Sequence, residues 1–426
     1  MSEKNSASSG QAPRRGLTRR AFNAGAAVSA ALVSSGAAMR LARAQDAALK
    51  VGVLLPRSGM QGAVGQACQR GVDLAPELLR QLGYSVKLDL VSVDFESNVD
   101  QARAQAEKLI AGGANLLIGA FDSGATSAIA QVAEQKGVPL VINIAAAPQI
   151  TQQGYKYVFR NFPTAPTLVR DGLSLMKDFF VATGHTPKTA VYMHVNDTFG
   201  QAMNGAIGKM LPGLNMPFKV VENISYDPAA RDLSVEVAKA KASGAELVML
   251  TSRLNDAILL VREMVKQRYS PMGIISPGSP GMYEDQFYAT LGKYSDYCTT
   301  NVPWYNPHEP MAAHVLSAFH KRWPKDRPAG YIFNIGFTFE AILIAADAYA
   351  RAKSTNGKAL ADALRTTHID KHMMVGGPIV FDAQGQNENV HSVVLENLQQ
   401  QPRVVLPVAA AEAKPVFPMV PWNQRS

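Results

Sequence analysis

The chain has 426 residues, 47% of them hydrophobic and 18% charged, with a formal net charge of +8. This composition excludes a disordered protein, and the length exceeds what one hydrophobic core usually organises, so two or more lobes are expected. Seven of the 42 basic residues, but only one of the 34 acidic ones, fall in residues 1–44; the rest holds 35 against 33, about +2, which removes the main support for a nucleic-acid partner.

Residues 1–44 read as an export signal. The start is polar and basic, Ala21–Met39 carries no charge, and Ala42–Ala44 ("ARA") puts small residues where a signal peptidase cuts, so cleavage is expected after Ala44. "TRRAF" (Thr18–Phe22) resembles the twin-arginine export signal, and the Ala/Gly/Ser-rich segment behind it is too weakly hydrophobic for a lasting membrane span. A periplasmic location follows as the expectation. Cys68 and Cys298 are too few for a disulfide framework, and their spacing leaves their pairing open.

Behind the leader, strand and helix periods alternate. Leu49–Pro56 is a short apolar strand, a helix follows around Ala63–Leu82, and Val86–Asp94 alternates as a strand. Asn98 can cap a helix to Ala111, Asn115–Ala120 is a buried strand, a helix begins at Ser123, and Val138–Asn143 is the next strand. The pattern restarts with strands at Lys188–Val195, Phe218–Tyr226, Glu246–Thr251 and Met272–Ser276. Helices are expected between them at Thr198–Met210, Arg231–Ser243 and Asn255–Arg268. Such a βαβ series calls for mostly parallel sheets covered by helices on both faces. "KLIAGGANLLIGAFDSGAT" (Lys108–Thr126) parallels "KAKASGAELVMLTSRLNDA" (Lys239–Ala257), which points to two similar lobes. Gly330–Ala352 is a long apolar helix interrupted by Asn334, Glu340 and Asp347, so a core helix is favoured over a span. Gly376–Asn389 reads as a strand and a polar turn, and Pro407–Ser426, rich in Pro and Ala, as a loosely packed tail.

No motif indicates a reaction. The glycines of "GMQGAVG" (Gly59–Gly65) miss the dinucleotide spacing, "SPGSPG" (Ser276–Gly281) is not a nucleophile elbow, and neither a phosphate loop nor HExxH or CxxC occurs. No metal and no cofactor are therefore expected. Four polar or Gly-rich turns from strand to helix suit binding instead: Arg57–Gly62, Phe121–Gly124, Asn196–Gly200 and Thr251–Asp256. Ligands of parallel sheets collect beyond the strand ends, where unpaired N–H groups and the helix dipole favour a carboxylate. Ser123 could donate a hydrogen bond there, with Phe121 or Phe199 against an apolar portion of the ligand.

Taken in order, "VGVLLPRSGMQGAVGQACQRGVDLA", "IGAFDSGATSAIAQVAEQKGVPLVINIAAAPQIT", "VNDTFGQ" and "GGPIVFDAQGQN" resemble the type I periplasmic solute-binding proteins of ABC transporters, the leucine/isoleucine/valine-binding group, over about Leu49 to Leu406. The resemblance implies an α/β fold of two doubly wound parallel-sheet lobes joined by crossings near Phe162–Thr164, Thr300–Pro303 and Gly376–Pro378. Lobe 1 would comprise 45–163 and 303–376, lobe 2 164–302 and 377–406, with 407–426 as the tail. It implies a monomeric, non-catalytic protein that closes on one small carboxylate-bearing solute and delivers it to an ABC permease. A sensor that presents its closed form to a signalling receptor is the alternative.

By the same resemblance Ser123 stands where a carboxylate-binding serine is expected. Ala145 and Ala146 stand near a small residue and a threonine, and Phe199 matches an aromatic that packs on the ligand. Gly278 and Ser279 occupy the turn where amino-acid binders hold an acidic partner for the ammonium, which disfavours an α-amino acid. Arg253, at a turn facing the cleft, could grip a carboxylate bidentately, and Arg57 is a second candidate. Asp122 could instead receive an ammonium or amide. An apolar organic acid, aromatic acids among them, ranks slightly above a branched-chain amino acid or an amide.

Overall fold

Two separate sheets carry the chain, and a computed structural model describes them over residues 48–425. The expected leader and its twin-arginine motif lie outside the described residues. The first sheet holds β1 (Leu49–Leu55), β2 (Leu88–Asp94), β3 (Leu116–Gly119), β4 (Leu140–Ile142) and β5 (Val158–Arg160), all parallel, in the order β2-β1-β3-β4-β5. Helices α1 (Gly62–Gln81), α2 (Val99–Ala111) and α3 (Ser123–Lys136) form its crossovers. β1, β3 and β4 are buried almost throughout, as strands covered on both faces must be, which explains their continuous apolar runs.

After α4 (Ala165–Thr183), the second sheet takes β6 (Thr189–Val195), β7 (Lys219–Tyr226), β8 (Leu247–Thr251), β9 (Gly273–Ser276) and β10 (Cys298–Pro303), with α5 (Thr198–Met210), α6 (Ser234–Ala242), α7 (Leu254–Lys266) and α8 (Asp285–Leu291) between them. The chain then returns to the first sheet's side through α9 (Pro310–Arg322), α10 (Ile332–Ala352) and α11 (Gly357–Arg365). Last come β11 (Ser392–Asn397) and β12 (Pro402–Leu406), antiparallel, giving the order β12-β11-β10-β9-β8-β6-β7. Both sheets belong to one compact unit beginning at Ala48. The alternation legible in the sequence is this doubly wound architecture, and β5 and α4 lie in a stretch where no element was expected.

α10 is a core helix, buried along almost its whole length. It packs on α1, where a Cβ at Gly71 would stand 2.7 Å from the Ile335 carbonyl oxygen, so only glycine admits the approach. Cys68, on α1, and Cys298, on β10, are both free and buried, and burial pushes each thiol up to about 12.

Two expectations fail. Gly376–Asn389 forms no ladder: Ile369 bridges Ile379, Gln386 bridges Arg160 and Gly376 bridges Val390. After Gly376 the segment thus runs back along β5 before Ser392 enters the second sheet, later than the Gly376–Pro378 step. The tail is not loose either. Phe417 meets Phe179 and Phe180 at 5.7 and 5.2 Å between ring centres, and the Trp422 indole donates to the Tyr269 carbonyl at 2.7 Å. The Val416 N–H donates to Glu396 on β11 at 2.9 Å. Composition misled because the prolines merely bar helix and ladder, while Phe417, Met419 and Trp422 supply a buried face.

Candidate functional site

The helix starts expected to face a cleft do face each other. Asp122 caps α3: its Oδ1 accepts the Ala125 N–H at 2.8 Å, leaving the first N–H groups of the helix, beginning at Ser123, without intrahelical partners. Just before the cap, Phe121 takes a left-handed φ of 74°, and its N–H is held by Asn143 Oδ1 at 3.3 Å. Asn143 in turn donates to Thr338 on α10 at 3.0 Å, so the turn is braced from the core. Across the cleft Asp197 caps α5 through the Gly200 N–H at 2.8 Å. A Cβ built on Gly124 would lie 3.4 Å from Thr198 Oγ1, which shows how near the two helix starts come.

Between them lies a chamber lined from both sides of the cleft. Seven of the nine expected site residues line it together: Phe121, Ser123, Ala145, Ala146, Phe199, Arg253 and Ser279. Most of the remaining wall is apolar, and no carboxylate belongs to it. Ser123 is 1% exposed, and among the described residues its Oγ has only a long 3.4 Å contact from the Ala147 N–H. The Ser279 hydroxyl is committed to its own turn, 2.7 Å from Ser276 Oγ and accepting from the Ser252 N–H at 3.0 Å. It shapes the wall more than it offers a free donor.

Arg253 is held by two acids. Its Nε and Nη2 lie 3.0 and 2.7 Å from Asp197 Oδ2, and Nη2 lies 3.0 Å from Asp122 Oδ2. The guanidinium also sits 5.3 and 5.7 Å from the Phe199 and Phe121 ring centres. Burial by itself would raise the Asp197 pKa, but the Arg253 charge and the Gly200 N–H outweigh it and hold the carboxyl below its usual range. Burial likewise opposes the Arg253 charge, and Asp197 and Asp122 more than compensate. Asp122 follows a strand of the first sheet and Arg253 one of the second, so this contact joins the two sides of the cleft. Asn255 adds another, donating to the Met60 carbonyl at 3.0 Å.

Two expected residues fall outside the chamber. Asp122 is absent from the wall because its oxygens are taken by the Ala125 N–H, Gln61 and Arg253. Arg57 does not line it either; its backbone N–H is bonded to Asp94 at 2.9 Å, which fixes the turn after β1 away from the chamber. Sequence reasoning in turn missed Phe162, Tyr283, Val302 and Phe333. Phe162 and Val302 lie within segments expected to cross between lobes, a signal that was present and unused. Tyr283 follows the "SPGSPG" turn, and its buried hydroxyl has no partner among the described residues. No cluster of three or more potential metal ligands occurs among them.

Residues 48–400 match a family model described as periplasmic binding protein. The Leu/Ile/Val-binding protein homolog 8 of Brucella abortus is 29% identical over 236 residues, 54% of this chain and 58% of that one, so the match spans little more than half of that relative. Among solved structures, a leucine-binding protein from Thermotoga maritima superposes with a TM-score of 0.73 at 19% identity, over 84% of this chain and 97% of the other. A solute-binding protein of an ABC transporter from Rhodopseudomonas palustris, solved in complex with benzoate, gives 0.70 at 20%, over 86% and 98%.

Proposed function

Because the chain belongs to the periplasmic binding protein family, a family of binding proteins and not of enzymes, we propose that it is the monomeric solute receptor of an ABC uptake transporter. In this reading it closes on a small carboxylate-bearing solute with an apolar, preferably aromatic body and presents the closed form to the permease. Export by the twin-arginine route is part of the reading, supported by Thr18–Phe22 and by the small residues at Ala42–Ala44.

The observation that carries it is the composition of the chamber wall. Unpaired N–H groups at the start of α3 and the Ser123 hydroxyl offer a seat for a carboxylate, and Phe121, Phe162, Phe199 and Phe333 surround an apolar body. An α-ammonium finds no carboxylate on that wall. The Brucella relative is named for leucine, isoleucine and valine and the Rhodopseudomonas protein holds benzoate; the wall of this chain favours the second kind of ligand. Arg253 takes a different part from the bidentate grip expected of it. With Asp197 and Asp122 already on its guanidinium, a third carboxylate would face two like charges against one cation. Its part is to tie the lobes together.

Closure follows from contacts to both lobes, which stabilise the closed state in proportion to the solute's preference for it. A thermal-shift screen of the mature protein against aromatic acids, dicarboxylates, amides and amino acids tests the reading, since a ligand of the native state raises the melting temperature with concentration. Ser123→Ala is expected to weaken the best acid about tenfold, the scale of one hydrogen bond to a charged group. Unchanged affinity would move the carboxylate elsewhere.

A further inference from the structure

A second chamber adjoins the first; the two share Phe121, Arg253 and Pro280, so Arg253 stands at the partition. Its wall is also largely apolar but, unlike the first, carries carboxylates. Glu284 and Asp256 both line it, 5% and 8% exposed, together with Gln61 and Asn255. The Asp256 oxygens are supplied with donors by Tyr226 and the Arg253 N–H. Glu284 Oε1 and Gln61 Oε1 are not: both are buried and neither has a donor among the described residues. Two accepting oxygens thus stand unsupplied in one cavity, and the cation that lines the same wall, Arg253, is already balanced by Asp122 and Asp197.

We propose that this chamber is a subsite for an amine carried by the solute at the end remote from its carboxylate, with the ammonium donating to Glu284 and Gln61. An ammonium has three donors and one positive charge, which matches an unsupplied carboxyl oxygen and an unsupplied amide oxygen. Burial, with Asp256 nearby, pushes the Glu284 carboxyl up to about 8, so the empty chamber disfavours its charge and an arriving cation would restore it. Its carboxylate, Glu284, lies three residues beyond the "SPGSPG" turn, whose Pro280 lines the wall and whose Gly278 and Ser279 carry no carboxylate. It rests on the reading of the first chamber given above, because the carboxylate must be seated there.

The test is isothermal titration of the mature protein with para-aminomethylbenzoate, meta-aminomethylbenzoate and para-aminoethylbenzoate, each beside its alkyl isostere. At least one amine should bind about tenfold more tightly than its isostere. Glu284→Leu should abolish that preference while leaving the isostere within about twofold of its original affinity, which also shows that the variant is folded. Isosteres that bind while no amine exceeds them overturn the subsite and leave the first chamber standing, as does a preference that survives in Glu284→Leu. Failure of every benzoate to bind removes the reading of the first chamber and this inference with it.

Discussion

Replacing Arg253 with methionine is expected to lower the unfolding free energy by about 4 kcal/mol, the scale for removing one partner from a buried ion pair. The side chain is 11% exposed and its two acids 15% and 20%, so little solvent is available to take over the lost charge. Without the guanidinium, Asp122 and Asp197 face each other across the cleft as like charges. Asp122→Asn separates the two roles of that residue. An asparagine still caps α3 through its side-chain oxygen, but the charge that crosses the cleft is gone. A stability cost of only about 1 kcal/mol is expected there, together with a larger radius of gyration of the ligand-free protein in small-angle scattering. Denaturant unfolding of Arg253→Met that matches the parent would show that the contact contributes nothing to stability.

The larger loss is expected at Glu340, about 5 kcal/mol for Glu340→Ala. This carboxylate is 1% exposed in α10 and accepts from four donors. His372 Nδ1 lies 3.2 Å away, the Met373 and Met374 N–H groups 3.0 Å, and Asn161 Nδ2 2.8 Å. Asn161 follows β5 where the chain leaves the first sheet, and His372 to Met374 belong to the segment returning toward the second, so one side chain binds two of the connections between the lobes. Alanine would strand all four donors in the interior. His372 Nε2 lies 2.9 Å from the Gly377 carbonyl, so both ring nitrogens face acceptors and the ring is best satisfied as imidazolium.

The pH dependence has a definite sign. Burial alone would lower the His372 pKa, yet the Glu340 bond raises it above its ordinary 6.5; its stabilisation is complete below 6.5 and is lost as pH rises through the raised value. Burial would raise Glu340, but His372 and the backbone donors hold it below its ordinary 4.5, so its share is complete above 4.5 and is lost as pH falls through the lowered value. The pair therefore contributes most between about 4.5 and 6.5. His372→Gln is expected to flatten the alkaline limb of stability against pH, and an unchanged limb counts against the pairing.

Much of this architecture could be read from the sequence because it is local. β1 to β4 and β6 to β9 announce themselves as short runs of strand pattern, whereas β5, β10, β11 and β12 were not expected, and Asn98, Asp122 and Asp197 cap helices where a polar residue precedes a periodic segment. The turns after β3, β4, β6, β8 and β9 then fall at one end of the sheets by topology alone, which is why Ser123, Ala145, Phe199, Arg253 and Ser279 share a wall. What stayed hidden depends on contacts between segments far apart in the chain. The Asp122 contact to Arg253 exists only when the lobes meet, and the Asp197 contact joins two turns of one lobe far apart in the chain, so the Arg253 turn could equally have offered the guanidinium to a solute. Glu340 looked like an interruption in an apolar helix; a lone buried acid there is itself a sign that distant donors converge on it. The tail was misjudged because its prolines report local backbone constraints, while Phe417 and Trp422 report nothing until α4 and Tyr269 are beside them.

On the proposed reading the first chamber seats an aromatic carboxylate and offers no partner for an α-ammonium. Isothermal titration of the ligand-free mature protein with benzoate and with leucine tests it most directly. Benzoate is expected to bind at least about tenfold more tightly than leucine, whereas leucine binding as tightly as benzoate, or more tightly, would overturn that reading.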